Sequence, residues 1–444
     1  MSFFYNFFGM HKSLVHKSER GHRAFRKYIQ EPLFIWGFAL FMALSCVVIH
    51  QGEKWIQAKN AEEVYSYHLD WEGNESGAVA AAGDTAELSK LNARYALLMD
   101  ADNRRVLFEK SGYEKVPMAS TTKIMTLIVA LENANLEDLV TVSDYAASMP
   151  DVQLNMKKDE QYRLGDLVYS LMLESHNDTA VAIAEHVGGS VEGFATMMNE
   201  KAKELGAYNT NFVTPNGLDA DEHYTTAYDL ALISSYAIEN ETFLKIIQTP
   251  SYTFHEQTTG KSFTVNNKDR FLTSYEGAIG IKTGFTGNAG YCFVGAVNRD
   301  GKHFVSVVLA CGWPPHKTYK WKDTTNLMDY GVKQYNLKEI LAAGTSFQQI
   351  PVMDSIEDAP VTPYTKDSVS LLLREEEKVS FDVKLPKKLQ APVKEEQTIG
   401  EITIKINDEI YKIIPLYSKE KRTKITYEYI LKNILSQYFL LLNS

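Results

Sequence analysis

The segment Met118-Ala119-Ser120-Thr121-Thr122-Lys123-Ile124-Met125-Thr126-Leu127 constrains the fold more than any other stretch of the chain. Wound into a helix running on to Asn133, it is apolar almost all the way round, so it belongs in the centre of a domain. Lys123 is carried into that interior, where burial disfavours the ammonium and lowers its pKa. Ser120, three residues earlier, shares one helix face with it. Such an amine can take a hydroxyl's proton and turn the oxygen into a nucleophile. Free N–H groups at the helix start add donors beside the same oxygen. Taken singly, a capping serine with a lysine reaching solvent explains the segment better. A second Ser-x-x-Lys, with Ser418 and Lys421, stands in an ordinary charged stretch.

The remaining chain predicts a domain of the size that helix needs. Its 444 residues, 45% apolar and 23% charged, suit about three domains of globular composition. They exclude a disordered chain, a collagen-like repeat and a multi-span membrane protein. A net charge of −10 argues against general nucleic-acid binding. Three cysteines, Cys46, Cys292 and Cys311, are too few for a disulfide scaffold. Strand signals at 94–99 and 106–109 flank a turn of Asp100, Ala101, Asp102 and Asn103. Helical patterns follow between 120 and 247, and strands return at 291–297 and 303–310 around an Asp300-Gly301 hairpin. Strands, then helices, then strands again predict a sheet with a helical insertion over 92–345. Cys292 and Cys311 flank the hairpin, and two buried thiols are a more ordinary reading there than a cross-strand disulfide. Short alternating runs within 350–420 predict a small β-rich domain.

Both ends point to a membrane. Residues 1–31 carry a net charge of +4 against −14 for the rest, and 33–49 hold no charge at all. With Pro32 and His50, that run is long enough for a bilayer core of about 30 Å. The basic flank predicts a cytoplasmic N-terminus. An uncleaved anchor over 32–50 is favoured over a cleavable signal ending at Ala43-Leu44-Ser45. Leu44 stands where lipidation at Cys46 would want a small residue. Either way the main body is exported. Residues 51–91, rich in Gly and Ala at 73–83, read as a linker. Over 425–443, Ile430, Leu431, Ile434, Leu435, Tyr438, Leu441 and Leu442 share one helix side. A helix lying in the membrane interface and one docked on its own domain fit equally.

Two further segments carry candidate chemistry. In Ser175-His176-Asn177, short polar side chains interrupt two apolar helices, as a loop aimed into a cleft or an ordinary turn would do. In Gly280-Ile281-Lys282-Thr283-Gly284-Phe285-Thr286-Gly287, glycines let a ligand approach a strand closely, while Lys282 and Thr283 suit a carboxylate. A bulged strand with a surface lysine is the plainer account of that segment alone. Order and spacing change the balance. Ser-x-x-Lys comes first, Ser-x-Asn begins 55 residues later and Lys-Thr-Gly a further 107 on. That triple is the signature set of serine penicillin-recognising enzymes.

The chain resembles the D-alanyl-D-alanine carboxypeptidase family of low-molecular-mass penicillin-binding proteins over about 94–335. Pro117 to Thr126 is similar to the family's nucleophile segment. Thr214-Pro215-Asn216-Gly217-Leu218-Asp219 with His223-Tyr224-Thr225-Thr226-Ala227-Tyr228-Asp229-Leu230 resembles its Gly-Leu turn and following helix. Lys282 to Thr286 with Ala289-Gly290-Tyr291 resembles its strand motif. One departure is His176, where the family usually has Gly or Ala; a larger titratable side chain at the cleft would narrow substrate choice. The resemblance implies an α+β fold: an antiparallel sheet with flanking helices and a helical subdomain, then a small all-β domain and a membrane-surface helix.

It also implies a two-step acyl transfer on peptidoglycan stem peptides. Ser120 would attack the bond between the terminal D-alanines, with Lys123 as proton acceptor. Backbone N–H groups of Ser120 and Phe285 would form the oxyanion hole beside Gly284. Ser175 and Lys282 would relay a proton to the departing D-alanine, Asn177 would hold the substrate amide, and Lys282 with Thr283 would grip the terminal carboxylate. No metal or organic cofactor is expected, and β-lactam antibiotics would acylate the same serine. The alternatives are a D,D-endopeptidase, a serine β-lactamase and a catalytically silent wall-binding protein. Between Asn177 and Lys282 no glutamate has an asparagine four residues on, which weakens the β-lactamase reading.

Overall fold

The computed structural model describes residues 64–70, 88–150 and 152–443. The basic segment 1–31 and the anchor expected at 32–50 lie outside the described residues. Among those described, no helix is long and apolar enough to cross a membrane. The chain forms two compact units.

The larger unit comprises Ser76–Ile340 and Val369–Glu377. Its centre is an antiparallel sheet of five strands: β1 (Tyr95–Asp100), β2 (Arg105–Lys110), β3 (Ala278–Thr286), β4 (Gly290–Arg299) and β5 (Lys302–Leu309), in the order β2-β1-β5-β4-β3. Strand periodicity divides the core in two. Leu97 and Met99 of β1 face a cluster with the buried helix α1 (Lys123–Asn133) and α5 (Ala227–Ala237). Ala96 and Leu98 face the other, against Leu327 and Met328 of α7 (Tyr319–Gln334). The hairpin joining β4 to β5 turns at Asp300 and Gly301, with φ of 56° and 73°. Both residues are left-handed, as a two-residue turn matched to strand twist requires.

Inserted between β2 and β3 is a helical subdomain of α2 (Leu164–Leu173), α3 (Asn177–Gly188), α4 (Val191–Glu204) and α6 (Glu241–Gln248), packed on α1. Lys123 to Ala130 of α1 are all buried, as its sequence predicts. The chain enters α1 through a 3-10 turn, Ala119–Thr122. At three residues per turn, side chains three apart eclipse one another, so Ser120 stands directly over Lys123. Cys292 and Cys311 are free, buried thiols.

The smaller unit gathers Leu341–Ser368 and the chain from Lys378 onward. Among the described residues it is all-β apart from its last helix, Tyr427–Asn443. Its main sheet runs Val64–Asp70, Val379–Pro386, Thr398–Ile406, Glu409–Ser418, Pro363–Tyr364. Two expectations change here. The linker 51–91 contains the strand Val64–Asp70, paired antiparallel with Val379–Pro386. Tyr65, Tyr67 and Leu69 alternate in its sequence, and pairing covers an edge that would otherwise be open. The β-rich domain over 350–420 is also discontinuous, because Val369–Glu377 belongs to the larger unit. Leu372 is buried in the core beside Phe304, the Arg105 guanidinium donates to the Leu372 carbonyl (2.6 Å), and Arg105 pairs with Glu377. Along the terminal helix Ile430, Leu435 and Tyr438 of that side are exposed among the described residues.

Candidate active site

The three candidate segments meet at the start of α1. Two features of the backbone hold Ser120 there. Ala119 takes a left-handed φ of 50°, a strained state for a non-glycine residue that persists only when its surroundings enforce it. A relay provides that enforcement. His223 Nδ1 accepts the Val213 N–H (3.0 Å), so Nε2 carries the proton and donates to Thr122 Oγ1 (2.9 Å). Thr122 Oγ1 donates in turn to the Ala119 carbonyl (2.8 Å). Burial pushes His223 down to about 4, which keeps this imidazole neutral and its tautomer fixed.

Lys123 is 0% exposed. Its Nζ lies 3.0 Å from Ser120 Oγ, 2.9 Å from Asn177 Oδ1 and 2.5 Å from the Asn216 carbonyl. Burial first, then the Lys282 charge, push its pKa well below that of an ordinary amine, with the Asp178 carboxylate opposing. An uncharged amine has two N–H bonds and one lone pair. The two carbonyl oxygens can accept from both N–H groups, which leaves the lone pair for the Ser120 hydroxyl. The arrangement suits proton transfer from Ser120 to Lys123.

The loop bearing Ser175, His176 and Asn177 reaches this point from between α2 and α3. Ser175 has a left-handed φ of 69°, and its Oγ is buried with no hydrogen-bond partner in the structure. Unpaired buried hydroxyls are costly and mark places where strain serves a role. Asn177 bridges Lys123 through Oδ1 and the Pro150 carbonyl through Nδ2 (3.1 Å). Asp178, next in the chain, accepts from the Leu154 and Met156 N–H groups (3.0 and 3.2 Å) and pins the segment 154–156 to α3. His176 corrects an expectation: it does not face the cleft. It is 4% exposed, with Nδ1 against Ser170 Oγ of α2 (2.8 Å) and Nε2 3.4 Å from Glu174. Ser170 Oγ also bonds Thr179 Oγ1 (3.0 Å), so interior hydroxyls draw the ring inward. Burial lowers its pKa.

The edge strand β3 closes the other side. A Cβ on Gly284 would lie 3.0 Å from the Ser120 nitrogen, 3.1 Å from Ala119 Cβ and 3.2 Å from the Met118 carbonyl. Only a glycine lets the strand come this close to Ser120. Lys282 is 2% exposed, and its Nζ donates to the Thr283 carbonyl (3.2 Å). Burial pushes it down to about 7, with the Asp269 carboxylate opposing. Thr283 is half-buried. Phe285 is 43% exposed and packs on Tyr291 with ring centroids 4.6 Å apart. Thr286 Oγ1 donates to Asp219 (2.8 Å), tying the strand's end to the turn after Gly217.

Ser120, Lys123, Asn177, Lys282 and Gly284 therefore share one site. Two contributors escaped the sequence reading: the Asn216 carbonyl and Asp178. Pro215-Asn216-Gly217 is a turn signal, yet nothing in a turn's composition tells where its carbonyl points.

Residues 81–312 match the model of the D-alanyl-D-alanine carboxypeptidase family, and 335–424 match that of the penicillin-binding protein 5 C-terminal domain. The chain is 29% identical over 362 residues to the D-alanyl-D-alanine carboxypeptidase DacF of Bacillus subtilis (strain 168), covering 80% of this chain and 92% of that protein. To the D-alanyl-D-alanine carboxypeptidase DacC of Escherichia coli (strain K12) it is 30% identical over 367 residues, covering 77% and 86%. Among solved structures, penicillin binding protein 5 from Haemophilus influenzae matches with a TM-score of 0.65 at 25% identity, covering 76% of this chain and 98% of that one.

Proposed function

This chain belongs to the D-alanyl-D-alanine carboxypeptidase family, and we propose that it removes the terminal D-alanine of peptidoglycan stem peptides with Ser120 as the acylated nucleophile. The observation that carries the assignment is the environment of Lys123: a wholly buried amine with two carbonyl acceptors and one hydroxyl, that of Ser120. Lys123 takes the Ser120 proton as the oxygen attacks the scissile carbonyl. The oxyanion is received by N–H groups of Ser120 and Phe285, a reading supported by the close approach of Gly284 to the Ser120 nitrogen; losing one such donor costs about 3–4 kcal/mol. Lys282 and Thr283 grip the terminal carboxylate, and Ser175 with Lys282 passes a proton to the departing D-alanine. Asn177 orients Lys123 and holds the substrate amide. Water then releases the shortened peptide, and β-lactams acylate the same oxygen. The reaction belongs outside the cytoplasm, on the wall. The uncharged run at 32–50 and the exposed Ile430, Leu435 and Tyr438 of the last helix support attachment to the membrane surface.

Mass spectrometry of a stem pentapeptide incubated with the protein should show loss of one alanine, blocked by penicillin. Ser120→Ala should abolish both that loss and covalent labelling by a fluorescent penicillin. Persistent labelling of the variant would refute the nucleophile.

A further inference from the structure

Beside β3 lies a buried carboxylate that the reaction scheme does not use. Asp269 precedes the short helix Phe271–Ser274. Its Oδ1 accepts the Phe271 N–H (2.9 Å); the Ile281 N–H of β3 also approaches the carboxylate, while the buried Oδ2 has no well-formed hydrogen bond. The strand makes room for it. Gly280 follows a break in the β3–β4 register and has a φ of 103°, and a Cβ there would lie 3.1 Å from Asp269 Oδ2. Gly280 and Lys282 are two apart in a strand, so their substituents leave by the same face. The carboxylate is thus packed against the face that carries the Lys282 side chain. An ammonium has three donors, and the Lys282 Nζ donates to one acceptor, the Thr283 carbonyl. A buried carboxylate held mainly by backbone N–H groups and a buried cation short of acceptors attract each other electrostatically, without a direct ion pair.

We propose that Asp269 is a positioning residue of the reaction, a buried counter-charge that keeps Lys282 an ammonium aimed at the substrate's terminal carboxylate. The inference rests on the reading of Lys282 as the carboxylate-gripping cation. The titratable groups facing Lys282 are Asp269, Lys320 of α7, Lys123 of α1 and the buried His176, whose pKa burial lowers; those facing Asp269 are Lys282 and Lys320. Burial lowers Lys282 to about 7 and raises Asp269 to about 6, and each charge opposes the effect of burial on the other. Without Asp269, burial and Lys320 act on Lys282 unopposed by any carboxylate among these groups.

The test follows fluorescent-penicillin acylation and D-alanine release by the full chain from pH 5.5 to 9. In Asp269→Asn the alkaline limb of the rate profile should move down by about one pH unit, a loss of about tenfold above the limb and little at pH 6. The loss should fall on KM more than on kcat. Asp269→Ser, a smaller uncharged replacement, should move the same limb downward too, which keeps the inference testable if Asp269→Asn does not fold. An unmoved limb in either folded variant, or a loss uniform across pH, overturns the role of Asp269 while leaving Ser120 acylation intact. A wild-type protein that neither labels nor releases D-alanine overturns the parent reading instead.

Discussion

Replacing Asn177 by aspartate changes almost nothing in shape and reverses the electrostatics of the base. Asn177 Oδ1 stands 2.9 Å from Lys123 Nζ, so the variant puts a carboxylate oxygen against a buried amine. At an effective dielectric constant of 20, unit charges at that separation attract by about 6 kcal/mol. That is ample to offset the burial which holds Lys123 uncharged. An amine returned merely to an ordinary pKa of about 10.4 is neutral in roughly one molecule in 2,500 at pH 7. Acylation by a fluorescent penicillin should therefore slow by about 10³-fold at pH 7 and recover as pH rises, because only the deprotonated amine can accept the Ser120 proton. Folding should be little affected. The lost Nδ2 bond to the Pro150 carbonyl is worth about 1 kcal/mol, a small shift in thermal midpoint. Asn177→Ala, which adds no charge, should lose far less activity than the aspartate. A folded Asn177→Asp protein that acylates within tenfold of wild type at pH 7 would show that an uncharged Lys123 is not the base.

Gly284→Ala inserts a methyl into contacts of 3.0–3.2 Å with the Ser120 segment, so it should cost about 1–3 kcal/mol of stability. It should also slow penicillin acylation by about tenfold or more through misplacement of the oxyanion donors, read by melting and labelling rate on one preparation. Lys282→Met should weaken binding of carboxylate-bearing substrates and, by removing a positive charge that lowers the Lys123 pKa, move the acid limb of acylation to higher pH. Peptides bearing Cys292 and Cys311 should resist alkylation in the folded protein and react fully after unfolding without reductant. Burial pushes the Cys292 thiol up to about 12 and Cys311 up as well, so neither is a thiolate at neutral pH.

The parts legible in the sequence are those whose signal is local. The all-round apolar pattern of α1 places Lys123 in the interior, the Asp300-Gly301 pair fixes the hairpin of β4 and β5, and alternation marks the β-rich unit. What escaped depends on contacts between distant segments. The Asn216 carbonyl meets Lys123 across a separation of 93 residues, and a backbone oxygen has no sequence signature. His176 reads as a cleft residue from its neighbours, yet the hydroxyls of Ser170 and Thr179 take it inward. Val369–Glu377 looks like more of the β-rich unit, and its pairing with Asn336–Leu341, its burial beside Phe304 and its bonds to Arg105 assign it to the larger one. The partner of Val64–Asp70 lies more than 300 residues away, so its short alternating run looked like part of a tether.

The proposed chemistry asks two buried lysines on facing elements to hold opposite charge states, and the site separates them by the partners it offers. Lys123 is given dipoles: the Asn216 and Asn177 carbonyls satisfy an uncharged amine completely, and the carboxylate of Asp178 is already engaged by two backbone N–H groups. Lys282 is given less hydrogen bonding and a carboxylate beside it. Their mutual repulsion then sharpens the division, because a charged Lys282 lowers the pKa of Lys123 further. Groups whose environments drive their pKa values apart divide acid and base roles between them. The cation that would bind the substrate's carboxylate is thus also part of what keeps the base uncharged, which ties recognition and activation of the nucleophile to a single charge on β3.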